Sequence, residues 1–159
     1  MVRCGIGYDV HPLKEGRPCF LGGVLIDHPR GPDGHSDADV LLHAIADALL
    51  GALGEGDIGQ HYPNTDVRWK NTPSLFFLHD IRIKITAHKA SIINIDATVI
   101  AEEPKIHPYI SEMRKKISTA LSINPDQVNI KATTNENLGF IGRREGLAAL
   151  AIATLDIES

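Results

Sequence analysis

Positive charge, cysteine, aromatic residues and long apolar runs are all scarce in this chain. It has 16 Lys and Arg against 20 Asp and Glu, a net charge of −4 with histidine neutral. A mildly acidic chain has no global attraction for nucleic acid or an anionic membrane surface, so any polyanionic ligand must be met by local cations or a metal ion. The two cysteines, Cys4 and Cys19, fit no CxxC spacing. That argues against a cysteine metal site or redox pair and for reduced thiols. No stretch approaches the ~20 apolar residues of a membrane helix, and the opening MVRCGIGYDVH has no apolar signal core. A cytoplasmic protein is expected. No repeat, low-complexity tract or linker divides the 159 residues, which predicts a single domain over 1–159 with a core of its own.

What the chain does contain is periodicity. Val2 to His11 and Ile93 to Ala101 alternate like strands, as does Val128 to Thr133. Phe20 to Ile26 reads as a hairpin around Gly22-Gly23. Ser36 to Leu50 is the clearest helix, with Ser36 and Asp39 in capping spacing and Gly51 or Gly54 as its stop. Ser74 to His88 and Pro108 to Leu121 are also read as helices. Gly146 to Ile157 is Ala/Leu-rich, so propensity alone makes it helical. Alternating strands and helices give an α/β or α+β domain.

Eight histidines supply candidate metal ligands. Asp9 and His11 stand at i and i+2, so on a strand they point to one face with a carboxylate oxygen and an imidazole nitrogen, both good zinc donors. A third ligand must come from elsewhere. His43 lies one helical turn after Asp39 and one before Asp47, an Asp–His–Asp stripe on an otherwise apolar helix. Either carboxylate is placed to hold its ring. Three protein ligands would leave zinc's fourth position open, the arrangement of a catalytic site.

Three further segments suit phosphate. His35-Ser36-Asp37 sits at the expected helix start, where unpaired N–H groups favour anions. Lys131 to Glu136 leaves a strand with two hydroxyls, an amide and a carboxylate in a row. Gly139 to Gly146 is a glycine-spaced loop with Arg143 and Arg144 that matches neither the Walker A nor the dinucleotide fingerprint; its arginines either bind an anion or pair with Glu145.

GYDVH at 7–11, GGV at 22–24, HSDADVLLHAIADALLGAL at 35–53, GDIGQHYPNTD at 56–66, AEEPKI at 101–106, VNIKATTNENLGF at 128–140 and GRREG at 142–146 follow one another across the chain. Together they resemble the 2-C-methyl-D-erythritol 2,4-cyclodiphosphate synthase family. The resemblance implies a mixed β-sheet with helices packed on one face, a final strand over Gly146 to Ile157, and a homotrimer with active sites between subunits. It implies that 4-diphosphocytidyl-2-C-methyl-D-erythritol 2-phosphate cyclises with loss of CMP. By the same resemblance Asp9, His11 and His43 hold zinc and border the substrate, and His35 and Ser36 lie near its phosphate. Asp57, Ile58, Gly59, Tyr62, Pro63, Asn64, Thr65 and Asp66 form the methylerythritol pocket. Ala101, Pro104, Lys105 and Ile106 bind cytidine from the neighbouring chain. Thr133, Thr134, Asn135 and Glu136 meet the diphosphate, Glu136 with a second ion (magnesium or manganese), and Phe140 and Arg143 lie near the trimer axis. His35 and Thr134 take the catalytic hydrogen-bonding roles. Asn64 stands where many relatives carry Asp, Asn135 where Thr is frequent, and Arg144 where a small residue is common. The rival readings are a metal-dependent phosphoester hydrolase and a trimeric binding protein with a structural zinc.

Overall fold

The computed structural model describes residues 1–158. Its first strand, β1 (Val2–Glu15), turns Gly5, Gly7, Asp9 and His11 to one face and Ile6, Tyr8 and Val10 to the other. The glycine face receives α1 (Val40–Leu53). A Cβ on Gly5 would lie 2.0 Å from the Ala48 carbonyl oxygen, and one on Gly7 1.9 Å from that of Ala44. Glycine at these two positions lets helix backbone settle on strand backbone. Asp9 and His11 continue the same face, so this close approach also brings them to His43, beside Ala44 on α1.

β1 pairs antiparallel with β7 (Gly146–Ile157), whose other edge pairs antiparallel with β5 (Ala90–Ile100). β6 (Val128–Thr133) runs parallel to β5, and β4 (Arg30–Pro32) pairs with β1. The five-stranded order is β4-β1-β7-β5-β6. β2 (Cys19–Leu21) and β3 (Val24–Ile26) form a separate hairpin that turns through Gly22 and Gly23, both at positive φ. The Ala-rich β7 is a strand, as the family resemblance implies and against its helix propensity. It lies between two partners, so its backbone is paired on both edges, while Ala149, Ala151 and Ala153 are buried on the side that meets α1.

α3 (Ser74–Ala87) and α4 (Ile110–Leu121) join α1 on this face and bury Leu42, Ile45, Leu49, Leu78, Ile81, Met113 and Ile117 against Ile95, Val99, Leu147 and Leu155. No helix among the described residues is long and apolar enough to cross a membrane.

The structure corrects one helix boundary. α1 starts at Val40, four residues after the expected Ser36, because Ala38 takes a left-handed φ of 57° that a helix cannot include. Asp39 is the N-cap. Its fully buried carboxylate accepts from Leu42 N–H at 3.1 Å and from Gly22 and Gly23 N–H at 2.9 and 2.7 Å, tying the hairpin turn to the helix. Gly54, at φ 80°, ends α1.

Arg144 has φ 61°. Left-handed backbone costs a side-chain-bearing residue roughly 1 kcal/mol. Its side chain offers little return, lying 3.8 Å from Glu103 and mostly in solvent. Arg144→Gly is expected to raise stability by about 0.5–1 kcal/mol. A chemical denaturation midpoint equal to or below that of the parent would contradict this.

Candidate metal and phosphate site

Three ligand atoms converge where β1 meets α1. Asp9 Oδ2 lies 3.0 Å from His11 Nε2 and 3.0 Å from His43 Nδ1, and the two ring nitrogens are 3.4 Å apart. All three side chains are partly buried, Asp9 the most exposed at 25%. Tautomer bookkeeping makes the triangle chemically specific. His11 Nδ1 is 3.0 Å from the Asp33 carbonyl oxygen, which can only accept, so Nδ1 carries a hydrogen and Nε2 is the nitrogen left to meet Asp9, through a proton or a metal ion. On its far side His43 Nε2 faces the hydroxyl oxygens of Ser74 at 2.9 Å and Ser36 at 3.1 Å. Three electron-rich atoms therefore point at one locus and need a cation between them. A tetrahedral zinc, with bonds of about 2.0–2.1 Å, sets its ligand atoms about 3.3 Å apart, so the donor set fits zinc in both chemistry and size.

Without a metal, protons meet this charge. Burial opposes ionisation of Asp9, but hydrogen bonds from His11 and His43 outweigh it and hold the carboxyl at about 2. Burial likewise works against charging His11, yet the hydrogen bond and charge of Asp9 carry its pKa above the ordinary imidazole value. A divalent ion would displace these protons.

The triad opens into a pocket of about 470 Å³ lined also by His35, Ser36, Ile58, Gly59, Tyr62, Pro63, Asn64, Thr65, Trp69 and Phe77. Asp57 stands at its edge as the N-cap of the short α2 (Ile58–His61), with both oxygens engaged by Gln60. Asp66 is turned to Arg68, and its carbonyl oxygen accepts from His35 Nε2 at 3.2 Å. Tyr62 donates its hydroxyl to Asp80 at 2.5 Å and packs its ring on Phe77. It shapes the pocket wall with its ring and has its hydroxyl committed elsewhere.

A second pocket, of about 300 Å³, is lined by Ala101, Glu102, Pro104, Lys105, Ile106, Thr133 and Thr134 and shares no residue with the first. Beyond β6 the chain turns sharply, with Glu136 and Asn137 at positive φ. Glu102 fixes this turn by accepting from the N–H groups of Asn135 at 3.0 Å and Asn137 at 3.1 Å. Asn135 spends its amide on the Leu138 carbonyl, and the Thr134 hydroxyl reaches Glu136 at 3.2 Å. Phe140 lies on α5 (Gly139–Gly142), half exposed, and Arg143 pairs with Glu145 at 2.8 Å.

The YgbB family pattern matches residues 2–156. The 2-C-methyl-D-erythritol 2,4-cyclodiphosphate synthase of Alkaliphilus metalliredigens is 57% identical over 155 residues, 97% of either chain. That of Salinibacter ruber is 53% identical over 97% of this chain and 98% of its own. The chain belongs to the 2-C-methyl-D-erythritol 2,4-cyclodiphosphate synthase family. Among solved structures, the bifunctional IspDF of Campylobacter jejuni superposes with a TM-score of 0.95 at 42% identity; this chain is covered whole and spans 43% of that longer one. The CDP complex of Plasmodium falciparum IspF gives 0.87 at 37% identity over 99% of this chain and 97% of that one.

Two expectations about this synthase-family chain need correcting. Neither carboxylate of the α1 stripe holds His43: Asp39 is spent on the helix cap and the hairpin turn, and Asp47 accepts from Ile58 N–H at 2.7 Å. The phosphate argument built on a helix start at Ser36 also changes. The α1 N-terminus is closed by Asp39, so His35 and Ser36 reach the pocket from a preceding loop. Sequence reasoning also missed Ser74 beside His43, the Trp69 and Phe77 walls, and Glu102 behind the 134–138 turn. Only Ser74 left a local signal, a hydroxyl directly after Pro73 at a helix start.

Proposed function

We propose that this chain converts 4-diphosphocytidyl-2-C-methyl-D-erythritol 2-phosphate to 2-C-methyl-D-erythritol 2,4-cyclodiphosphate with release of CMP, in non-mevalonate isoprenoid precursor synthesis. The observation that carries the reading is the Asp9–His11–His43 triangle at the floor of an open pocket. When bound, zinc at this triangle and a magnesium or manganese ion near Glu136 would supply Lewis-acid neutralisation of the diphosphate.

The rest of the chemistry falls to the protein. The 2-phosphate is already an anion, so its attack on the β-phosphorus needs no general base, and positioning carries much of the rate. Ile58, Gly59 and the 62–66 wall hold the methylerythritol. With Nε2–H given to the Asp66 carbonyl, His35 donates to a phosphoryl oxygen either as an imidazolium or after turning from Asp66. The backbone at 101–106, with Lys105, receives the cytidine, and Thr133, Thr134 and Asn135 hold its phosphates.

The two pockets are separate on one chain, and the exposed side of the sheet supports bringing them together between chains. Ile6, Tyr8, Leu150 and Ile152 on β1 and β7 are 40–66% exposed on one continuous face. That is an apolar surface of the kind subunits cover. A homotrimer, with the metal pocket of one subunit completed by the cytidine pocket of the next and Phe140 and Arg143 near its axis, satisfies both observations. The free Cys4 and Cys19 suit the reducing cytoplasm.

Incubation with the cytidylyl substrate, followed by phosphorus NMR, tests the reading. A cyclic diphosphate plus CMP is expected; CMP with 2-C-methyl-D-erythritol 2,4-bisphosphate, two separate phosphate monoesters and no P–O–P link, would make the chain a hydrolase. Thr134→Ala should lower kcat by about 100-fold with a much smaller change in substrate affinity, as for loss of one donor to a charged transition state. An unchanged kcat would remove Thr134 from the catalytic step.

A further inference from the structure

His43 is held from behind by a chain of groups with only one consistent arrangement of hydrogens. The Ser74 hydroxyl contacts Asp37 Oδ1, and its oxygen lies 2.9 Å from His43 Nε2. A carboxylate accepts only, and a hydroxyl has one hydrogen to give. Ser74 therefore donates to Asp37 and must accept from His43, so Nε2 carries a hydrogen and Nδ1 is the ring nitrogen left to meet Asp9, through a proton when no metal is bound and through the metal ion when one is. The Asp37 carboxylate is itself fixed by the Ser74 backbone N–H at 2.8 Å and the Asp39 N–H at 3.2 Å. Ser74 is wholly buried at the first turn of α3. Ser36, the other hydroxyl near Nε2, accepts from Ala38 N–H at 3.1 Å and lines the pocket, with no carboxylate behind it.

We infer that Ser74 and Asp37 are positioning residues that hold the Nε2–H and the ring orientation of His43, so that Nδ1 faces the metal. The inference rests on Asp9, His11 and His43 being the metal ligands. An imidazole ligand whose distal N–H is held by an acceptor pays less to reach its binding geometry and donates more strongly, and loss of such a partner weakens metal binding by about 10–100-fold. The arrangement also ties the metal site to the start of α3, so the segment between residues 62 and 73, which walls the pocket, is anchored to the ligand cluster at its far end.

The test is zinc affinity by competition with a chromogenic chelator, combined with NMR of the His43 Nε2–H in zinc-loaded protein, where the ion takes Nδ1. In the parent, zinc binds and the His43 Nε2–H is held and slow to exchange with solvent. Ser74→Ala keeps the backbone N–H to Asp37, and so the α3 start. It should weaken zinc about 10–100-fold and speed exchange of the His43 Nε2–H, which a merely structural residue would not do. Asp37→Asn should shift both readouts the same way by less, and it decides the matter should Ser74→Ala fail to fold. Ser36→Ala should change affinity less than Ser74→Ala. Parent-like affinity and Nε2–H exchange in Ser74→Ala, or in Asp37→Asn where that variant decides, overturn the inference alone. Parent protein that binds no zinc, or His43→Ala that binds it as the parent does, overturns the ligand assignment and the inference with it.

Discussion

His43→Ala is expected to abolish zinc binding and to cut CMP release by roughly a thousand-fold or more, the equivalent of about 4 kcal/mol of lost transition-state stabilisation. The size follows from the geometry. His43 supplies one side of a three-atom triangle, and the remaining pair, Asp9 and His11, sits 3.0 Å apart as an ordinary ion pair that a proton satisfies. Two ligands on one strand bind zinc too weakly to compete with that proton. The fold should survive, because the His43 ring lines the pocket while the buried face of α1 is carried by Leu41, Leu42, Ile45 and Leu49. Zinc content by elemental analysis and CMP release by chromatography check both halves. Full turnover without metal would refute the assignment.

Gly7→Ala is expected to damage stability and site together. The new Cβ would meet backbone atoms, 1.9 Å from the Ala44 carbonyl oxygen and 2.8 Å from Ala48 N, which no side-chain rearrangement relieves. α1 must lift from β1. Overpacking typically costs 1–3 kcal/mol, and a clash between two backbones belongs at or above the upper end, about 3 kcal/mol or more. For a domain of this size that lowers Tm by about 6–12 °C. The same displacement carries His43 away from Asp9 and His11, so zinc affinity should fall even where the variant still folds. Gly16→Ala is the control for added bulk, since a Cβ there meets nothing within 4 Å; its positive φ of 75° adds a backbone cost of about 1 kcal/mol that position 7 does not carry. A Gly7→Ala protein that matches Gly16→Ala in both Tm and zinc affinity would show that the glycine face does not set the helix position.

These two residues also show how far the sequence could be read. The period-2 rule placed Asp9 and His11 on one face, and the same rule places Gly5 and Gly7 there, but the close approach they permit is visible only once α1 is seen above them. Helical spacing correctly aligned Asp39, His43 and Asp47 along α1. It could not say what each would meet, because a stripe fixes direction and not neighbours. Asp39 is claimed by the turn at Gly22-Gly23 and Asp47 by Ile58, while the real partner of His43 Nε2, Ser74, lies 31 residues along the chain. Ser36 matched a capping pattern that failed on the left-handed Ala38 between it and the helix. β7 reversed its own propensity because two neighbouring strands pair with it, a fact belonging to the sheet and not to the segment. The alternations of β1, β5 and β6 and the apolar stripes of α1 and α4 were legible because burial on one face imposes them locally.

The most direct test of the account is zinc K-edge X-ray absorption on the metal-loaded protein, before and after addition of the cytidine diphosphate substrate. The prediction is a four-coordinate ion with two imidazole nitrogens, a carboxylate oxygen and one exchangeable oxygen, the last replaced by an oxygen with phosphorus behind it when substrate binds. A zinc closed by a fourth protein ligand, or a spectrum unmoved by substrate, would contradict the open site on which the chemistry depends.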